Sequence, residues 1–394
     1  MQAPPAPPHA PYVAPRQRRD PIALWAAAAA GVALIVAVVA IGIALNPPTS
    51  HSASHISVSV PPVPLGSPVP EPSPTSTPTF AGPTTDLHLP GFGDMAIDPS
   101  HDHLFVSGGP ESNDVVVLDF DGRIVKRLTG QLGASGMVVR GANLFIALHN
   151  ADQVAVFDTG TLQRIKTIDT SPLTGPYGLA WVGNELWVAR GACDGGFGDG
   201  VFTLDPSTGE IGKLPKRFSG SSCPAVVPIR GDRVLVSGVP LGVGEYDLKS
   251  DGGLRTVVEL PGSGYSTAVV APDGRHLLTP GNDRAASVSL ANLQPSGTDY
   301  IAESFVVGID VAAAPISRVV VGTDTVYGPD VWLYRADNPQ PYGKVDFGDG
   351  GPASTLYVNG VTFSPSGDRV FAITGNAGNN AGDDVFLRIV PAAR

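Results

Sequence analysis

The sequence predicts an all-β fold, a seven-bladed β-propeller, and three observations carry that prediction. A tight polar turn recurs seven times: Asp98-Pro99-Ser100-His101-Asp102, Arg140-Gly141-Ala142-Asn143, Gly183-Asn184-Glu185, Arg230-Gly231-Asp232-Arg233, Pro272-Asp273-Gly274-Arg275, Pro315-Ile316-Ser317-Arg318 and Pro365-Ser366-Gly367-Asp368-Arg369. Each turn sits between a small-residue strand and a β-branched one. Successive turns lie roughly 40 to 50 residues apart, the length of one four-stranded unit that buries its faces only against its neighbours. The last repeat is one strand short, which sets how the ring must close.

Within a repeat the strands follow from alternation and turn chemistry. The second repeat shows this best: Gly136 to Val139, Leu144 to Leu148, Gln153 to Asp158 and Arg164 to Asp169 read as strands a, b, c and d. Strands b and c carry the β-branched and aromatic residues expected of packed sheet, and strand a is richer in Gly and Ala, as a crowded centre requires. In the seventh repeat, Gly360 to Ser364, Arg369 to Thr374 and Asp384 to Val390 are followed by the end of the sequence. The segment Asp86-Leu87-His88-Leu89-Pro90-Gly91 matches the end of the fourth repeat, Val257-Val258-Glu259-Leu260-Pro261-Gly262. We expect it to supply the missing outer strand and seal the ring.

Ahead of the array the composition changes three times. Residues 1–21 form a Pro-rich segment with Arg16, Arg18 and Arg19, residues 22–45 carry no charge, and residues 46–85 are Pro, Ser and Thr. An uncharged run of this length makes a helix of about 36 Å, enough to cross a hydrocarbon core of about 30 Å. The expectation is a signal-anchor transmembrane helix over 22–45. The Arg bias keeps the N-terminus cytoplasmic and places the propeller of residues 86–394 outside the cell membrane on a disordered linker. Two cysteines in an exported domain are expected to be bridged, so Cys193 and Cys223 are paired in this reading.

The formal net charge is −11, of which residues 1–85 contribute +1, leaving −12 on the array. With no Lys/Arg run after Arg19, nucleic acid is excluded as a partner, because phosphodiester binding needs clustered cations. G-x-S-x-G, H-E-x-x-H, C-x-x-C and phosphate-loop strings are absent, so no catalytic residues are assigned. The pair His101 and His103 falls in a turn and reads as solvated.

Polar residues gather instead in the b to c loops, which emerge on one face. His149, Asn150, Asp152, Arg190, Asp283, Arg284, Asp324 and Asn376 are the candidate binding residues. Asn and Asp are ordinary turn formers whose side chains cap their own backbone, whereas turn chemistry does not require His149, Arg190 or Arg284. No cofactor is assigned; Asp194 to Gly200 and Asn376 to Asp384 are oxygen-rich, Gly-rich loops of a kind that could ligate calcium, although neither matches an established calcium loop.

The repeats resemble the YVTN-type bacterial seven-bladed β-propellers. The likeness rests on Leu144-Phe145-Ile146-Ala147, then His149-Asn150-Ala151-Asp152-Gln153-Val154-Ala155-Val156-Phe157-Asp158 and Thr161, and on Leu104 to Ser107 with Asn113 to Asp119. It weakens after the third repeat. The resemblance implies an extracytoplasmic module that binds an envelope protein or a small molecule. Some relatives, the lactonases and streptogramin lyases, are enzymes, and the alternative reading is a lactonase-like hydrolase or lyase with His149 as base and Arg190 or Arg284 stabilising negative charge.

Overall fold

The computed structural model describes residues 80–171, 173–190, 200–212, 225–229, 233–239, 242–248, 254–260, 268–292, 294–312, 315–325, 328–348, 354–376 and 384–392. These residues form seven antiparallel sheets, six of four strands and one of three. Sheet 1 is Met95–Asp98, His103–Ser107, Val115–Asp119 and Ile124–Leu128, and sheet 2 is Ala134–Arg140, Asn143–Leu148, Gln153–Asp158 and Arg164–Asp169. Sheet 3 contains Pro176–Val182, Glu185–Arg190 and Gly200–Leu204. Sheets 4, 5 and 6 open at Ala225–Pro228, Val269–Val270 and Val306–Ala312. Sheet 7 holds Thr355–Phe363, Arg369–Gly375 and Val385–Pro391, with Thr84–Asp86 as its fourth strand. Four strands per sheet in simple up-and-down order is the arrangement of a propeller blade, and the architecture is consistent with a propeller-like fold.

The apolar runs of the b and c strands are continuous because each sheet is covered on both faces. Alternate residues point to opposite sides. In sheet 1, Phe105, Val115 and Val117 pack against Met137, Leu144, Ile146 and Ala155 of sheet 2. The intervening Leu104, Val106, Val116 and Leu118 pack against Phe371, Ile373, Val385, Leu387 and Ile389 of sheet 7. The same alternation couples sheet 2 to sheet 3 through Phe145, Val154 and Val156 against Leu186, Val188 and Phe202. Sheets 6 and 7 meet through Val320, Val331 and Leu333 against Leu356, Val361 and Phe363.

The N-terminal segment lies across sheets 6, 7 and 1. Phe80 meets Phe347 edge-on at 5.4 Å, and its N–H donates to the Asp346 carbonyl at 2.7 Å. Thr84, Thr85 and Asp86 pair with Arg388, Leu387 and Phe386. The Thr85 hydroxyl donates to the Gly122 carbonyl at 2.8 Å, and Arg127 of sheet 1 donates to the Leu87 carbonyl at 2.6 Å. The outer strand was expected over Asp86 to Gly91 and instead occupies Thr84–Asp86. The reason is local: the Asp86 carboxylate accepts the His88 N–H at 2.8 Å, and His88 takes φ 48°, which ends the extended run. Leu87 and Leu89 are fully buried in the core between sheets 7 and 1.

Two expectations are corrected. No helix among the described residues is long and apolar enough to cross a membrane, and the helix found there, His149–Ala151, is a single 3-10 turn far shorter than a bilayer. No disulfide is found among the described residues, so the expected bridge between Cys193 and Cys223 is not supported. Residues 22–45, Cys193 and Cys223 lie outside the described residues.

Candidate functional site

The connections from strand b to c and from strand d to the next sheet emerge on one face, and the structure shows what each expected residue does there. Asn150 is exposed and donates through Nδ2 to the Pro110 carbonyl at 2.7 Å, tying sheet 2 to sheet 1. Asp152 sits in the left-handed region at φ 53° and ends the 3-10 turn. Its Oδ1 accepts the Gly175 N–H at 2.7 Å, and its backbone carbonyl accepts the Thr170 N–H at 2.9 Å. Both are turn residues in the ordinary sense.

Asp283 and Arg284 hold each other. Two guanidinium N–H groups donate to the two Asp283 oxygens at 2.8 and 2.9 Å, and Asp299 lies 3.5 Å from the same arginine. The Arg284 hydrogen bonds keep the Asp283 carboxyl below its usual range and push the guanidinium up. Asp324 is exposed, with its N–H donated to the Phe305 carbonyl at 2.9 Å. Asn376 donates through Nδ2 to the Asp384 carboxylate. The rest of the Gly-rich loop, and Asp194 to Asp199, lie outside the described residues. Among the described residues no group of three or more His, Cys, Asp or Glu is placed to hold a metal ion.

His149 and Arg190 both lie by the start of Pro176–Val182. Arg190 ends the second strand of sheet 3, is 9% exposed, and lies opposite Pro176 in the ladder. The next residue, Tyr177, meets the His149 ring edge-on at 6.1 Å. The backbone of His149 is fixed by its N–H to the Gly133 carbonyl at 3.1 Å, yet its Nδ1 is inaccessible to solvent and has no hydrogen-bond partner. A buried polar atom left in that state costs about 1–3 kcal/mol, so it marks a place where the fold alone does not complete the bonding.

Asp94 bridges the neighbouring inner strands of sheets 1 and 2 and was not among the expected residues. It stands just ahead of the inner strand of sheet 1, where Oδ1 accepts the Met95 N–H at 2.8 Å and Oδ2 accepts the Met137 N–H of sheet 2 at 2.7 Å. Burial pushes its carboxyl up to about 7, against the pull of those two backbone bonds. Burial and then the Asp94 charge push the Tyr177 hydroxyl up. The two inner strands approach closely at Gly136, where a Cβ would stand 2.4 Å from the Tyr177 carbonyl oxygen and 2.7 Å from the Gly178 Cα. The signal was legible in principle, since Asp94 and Tyr177 are polar residues beside or within innermost strands rich in Gly, Ala and aliphatics.

A second carboxylate, Asp310 of sheet 6, stitches sheets in the same way, accepting the Thr362 hydroxyl at 2.9 Å and the Phe363 N–H at 2.7 Å of sheet 7. Burial pushes it up too. The turn histidines lie in an exposed turn, where each also finds a partner. Asp98 is 1% exposed and 2.6 Å from the His101 ring, while His103 Nδ1 lies 3.0 Å from the Thr159 carbonyl of sheet 2. Although burial pushes the Asp98 carboxyl up, the bonds from His101, Ser100 and Thr159 together hold it below its usual value. Two clefts lie away from the His149 group. One of about 640 Å³ lies beside Lys166, Asp169, Ser207 and Thr208, and one of about 420 Å³ beside Asp119, Asp121, Asp368 and Arg369 on the opposite face.

The geometry thus describes a β-sheet domain with a polar face and a small cluster of partly buried titratable groups. No family model matches the chain, and no curated protein does. Solved structures that resemble it include the Kuenenia stuttgartiensis hydrazine synthase, at 15% identity and TM-score 0.57 over 80% of this chain and 99% of that one. A chain of the mitotic checkpoint complex is also similar, at 14% identity and TM-score 0.59 over 86% of this chain and 100% of that one. At these identities the likeness is one of fold alone.

Proposed function

We propose that the domain is a binding module whose working surface is the b to c and d to a face. The single observation that carries this reading is the His149 ring held against Tyr177 with its Nδ1 buried and unbonded. The seven sheets are read as blades of a ring whose inner strands surround a central channel. Packing of sheet 7 on sheet 1 and the pairing of Thr84–Asp86 with the last strand support that closure. Asp94, Tyr177 and the start of the second inner strand then stand together at one mouth of the channel. Arg284 on the fifth blade is engaged by Asp283 and Asp299, which argues against its stabilising a developing negative charge next to His149 and against the hydrolase alternative.

The test is differential photo-cross-linking. A photoreactive residue at Leu132 or Phe305, which are 48% and 62% exposed on the proposed face, should capture a partner in intact cells. The same probe at Arg123, on the opposite face with its side chain 79% exposed, should not. Equal capture from both faces, or from neither, refutes the assignment.

A further inference from the structure

The face opposite the proposed working surface carries three side chains in line on sheet 5. Asp273 lies in the turn between the first two strands of that sheet, His276 opens the second strand, His276–Pro280, and Ser296 lies in the connection after the third, Arg284–Ser289. Asp273 Oδ1 accepts the Arg275 and His276 N–H groups at 2.8 and 3.1 Å, which leaves Oδ2 to meet His276 Nδ1 at 2.5 Å. Although burial pushes the Asp273 carboxyl up, these bonds together hold it below its usual value. A carboxylate only accepts, so Nδ1 carries the proton of the neutral ring and Nε2 is a bare acceptor. Nε2 lies 3.3 Å from the Ser296 hydroxyl, which donates to it. The backbone fixes this line. The Ser296 N–H donates to the Ser287 carbonyl at 3.0 Å, on the strand that pairs with His276. Gly297 follows at φ 92°, where a Cβ would stand 2.6 Å from the Ser287 hydroxyl oxygen and 3.0 Å from His276 Cδ2, so a side chain there would push the ring away. Asp299, on the same connection, is committed elsewhere: it accepts the Ser287 N–H at 2.8 Å and lies 3.5 Å from Arg284. Sheet 1 offers the contrast. There Asp98 meets His101 Nδ1 at 2.6 Å, but the Thr159 hydroxyl lies 3.5 Å from that same Nδ1, and Thr159 is fully buried.

We propose that Ser296 is a nucleophile, with His276 as its general base and Asp273 as the positioning residue, and that this site takes the acyl group of small activated esters. Hydroxyl, imidazole and carboxylate in that order form a constellation that recurs on unrelated folds and is recognised by geometry. The 3.3 Å contact has the length such bonds show before a substrate closes on them. Ser296 is exposed, so a small ester reaches it from solvent. In the first step a bond forms between Oγ and the carbonyl carbon, the hydroxyl proton passes to His276 Nε2, and the bond to the leaving alkoxide or phenolate breaks, the proton following the leaving group. In the second, water attacks the acyl carbon and gives a proton to Nε2, that proton returns to Oγ, and the carboxylic acid departs. The net change is ester and water to acid and alcohol.

The experiment is stopped-flow reaction of the full chain with p-nitrophenyl acetate, followed by peptide mass mapping. Release of p-nitrophenolate should open with a burst of about one per chain. The acetyl group should be found on Ser296, formed about 10²-fold faster than on Ser207, another exposed serine, whose hydroxyl donates to Asp205 at 2.6 Å. Ser296→Ala should lose the burst, and His276→Gln should slow acetylation by about 10²-fold. Asp273→Asn keeps an oxygen to cap the turn but sets an amide against Nδ1, which donates to the ring and moves its proton to Nε2. Acetylation should then slow by about tenfold or more while the burst stays near about one per chain. A merely structural role would shrink the burst instead of its rate. If Asp273→Asn does not fold, as its melt will show, Ser296→Ala and His276→Gln decide the matter.

A burst that survives in Ser296→Ala, acetylation of Ser207 as fast as of Ser296, or full rate in Asp273→Asn overturns the triad. Acetyl groups confined to the His276 ring overturn it too, since an imidazole would then be reacting on its own. Cross-linking at Leu132 and Phe305 reports on the other face, so its outcome and that of the ester reaction are read separately.

Discussion

Replacing Leu89 by alanine tests the N-terminal segment as a structural clasp. Leu89 has no exposed surface and packs in the cluster shared by Leu104, Leu118, Phe371 and Leu387, so its removal opens a cavity between two sheets at once. A buried Leu→Ala change costs about 2–5 kcal/mol, the transfer loss of the missing carbons plus a cavity term. The site has little means of collapse, because Leu87 beside it is equally buried and Arg127 pins the Leu87 carbonyl at 2.6 Å. The upper half of that range is therefore expected. Urea denaturation followed by tryptophan fluorescence measures the loss, with Ile165→Ala as the control at a side chain 53% exposed. That control should move by less than about 0.5 kcal/mol. The denaturant slope should be unchanged in both, so that a shifted midpoint reports stability alone. If Leu89→Ala costs no more than the control, the segment decorates the sheets rather than holding them, and the argument for closure through it fails.

Further outcomes follow from the geometry. Gly136→Ala should destabilise by about 1–3 kcal/mol, because the new methyl meets the Tyr177 carbonyl and Gly178 backbone, neither of which can turn aside; thermal melting checks it. Gly141→Ala meets no atom within 4 Å but sits at φ 59°, so only the conformational strain, about 1 kcal/mol, should appear. Asp94 is raised in the folded state above its unfolded value, so the folded protein binds the extra proton between pH of about 4 and 7, and stability falls as pH rises through that window. Asp94→Asn should flatten that fall, and a parallel pH profile would refute the assignment. Asp98 is shifted the other way: its contribution is present above the unfolded carboxylate value and is lost as pH falls through its lowered folded value. Asp98→Asn should cost about 1–3 kcal/mol at pH 7, read from the same urea titration.

The repeats were legible because a strand covered on both faces needs an unbroken β-branched run, and Leu104 to Val106, Val115 to Leu118 and Val319 to Val321 supply it. Turn positions were equally plain, since Asp98, Asp158 and Asp273 cap the backbone that follows them at 2.7 to 2.8 Å. The N-terminal strand was placed two residues late, because Leu87 and Leu89 alternate as strand residues do while serving as core plugs beyond a left-handed His88. The face was read from its loops, which favoured His149, Arg190 and Arg284; the structure commits Arg284 to Asp283 and Asp299 within the chain. His149 kept an unbonded atom, and its surroundings, Tyr177 and Asp94, lie 28 and 55 residues away in sequence on other sheets. A loop-by-loop reading has no access to such a junction, because only the packing of consecutive inner strands creates it.

The odd and even residues of each central strand belong to different neighbours, so losing one residue from Val115–Asp119 would hand every side chain beyond the break to the wrong partner. Two seams would fail together, and the damage would pass to sheets on either side. Insertions and deletions are thereby confined to the connections, and those on one face are where Asn150, Asp283 and Asp324 lie. Change in length, the coarsest source of novelty open to a gene, is steered by the core onto the surface that meets other molecules.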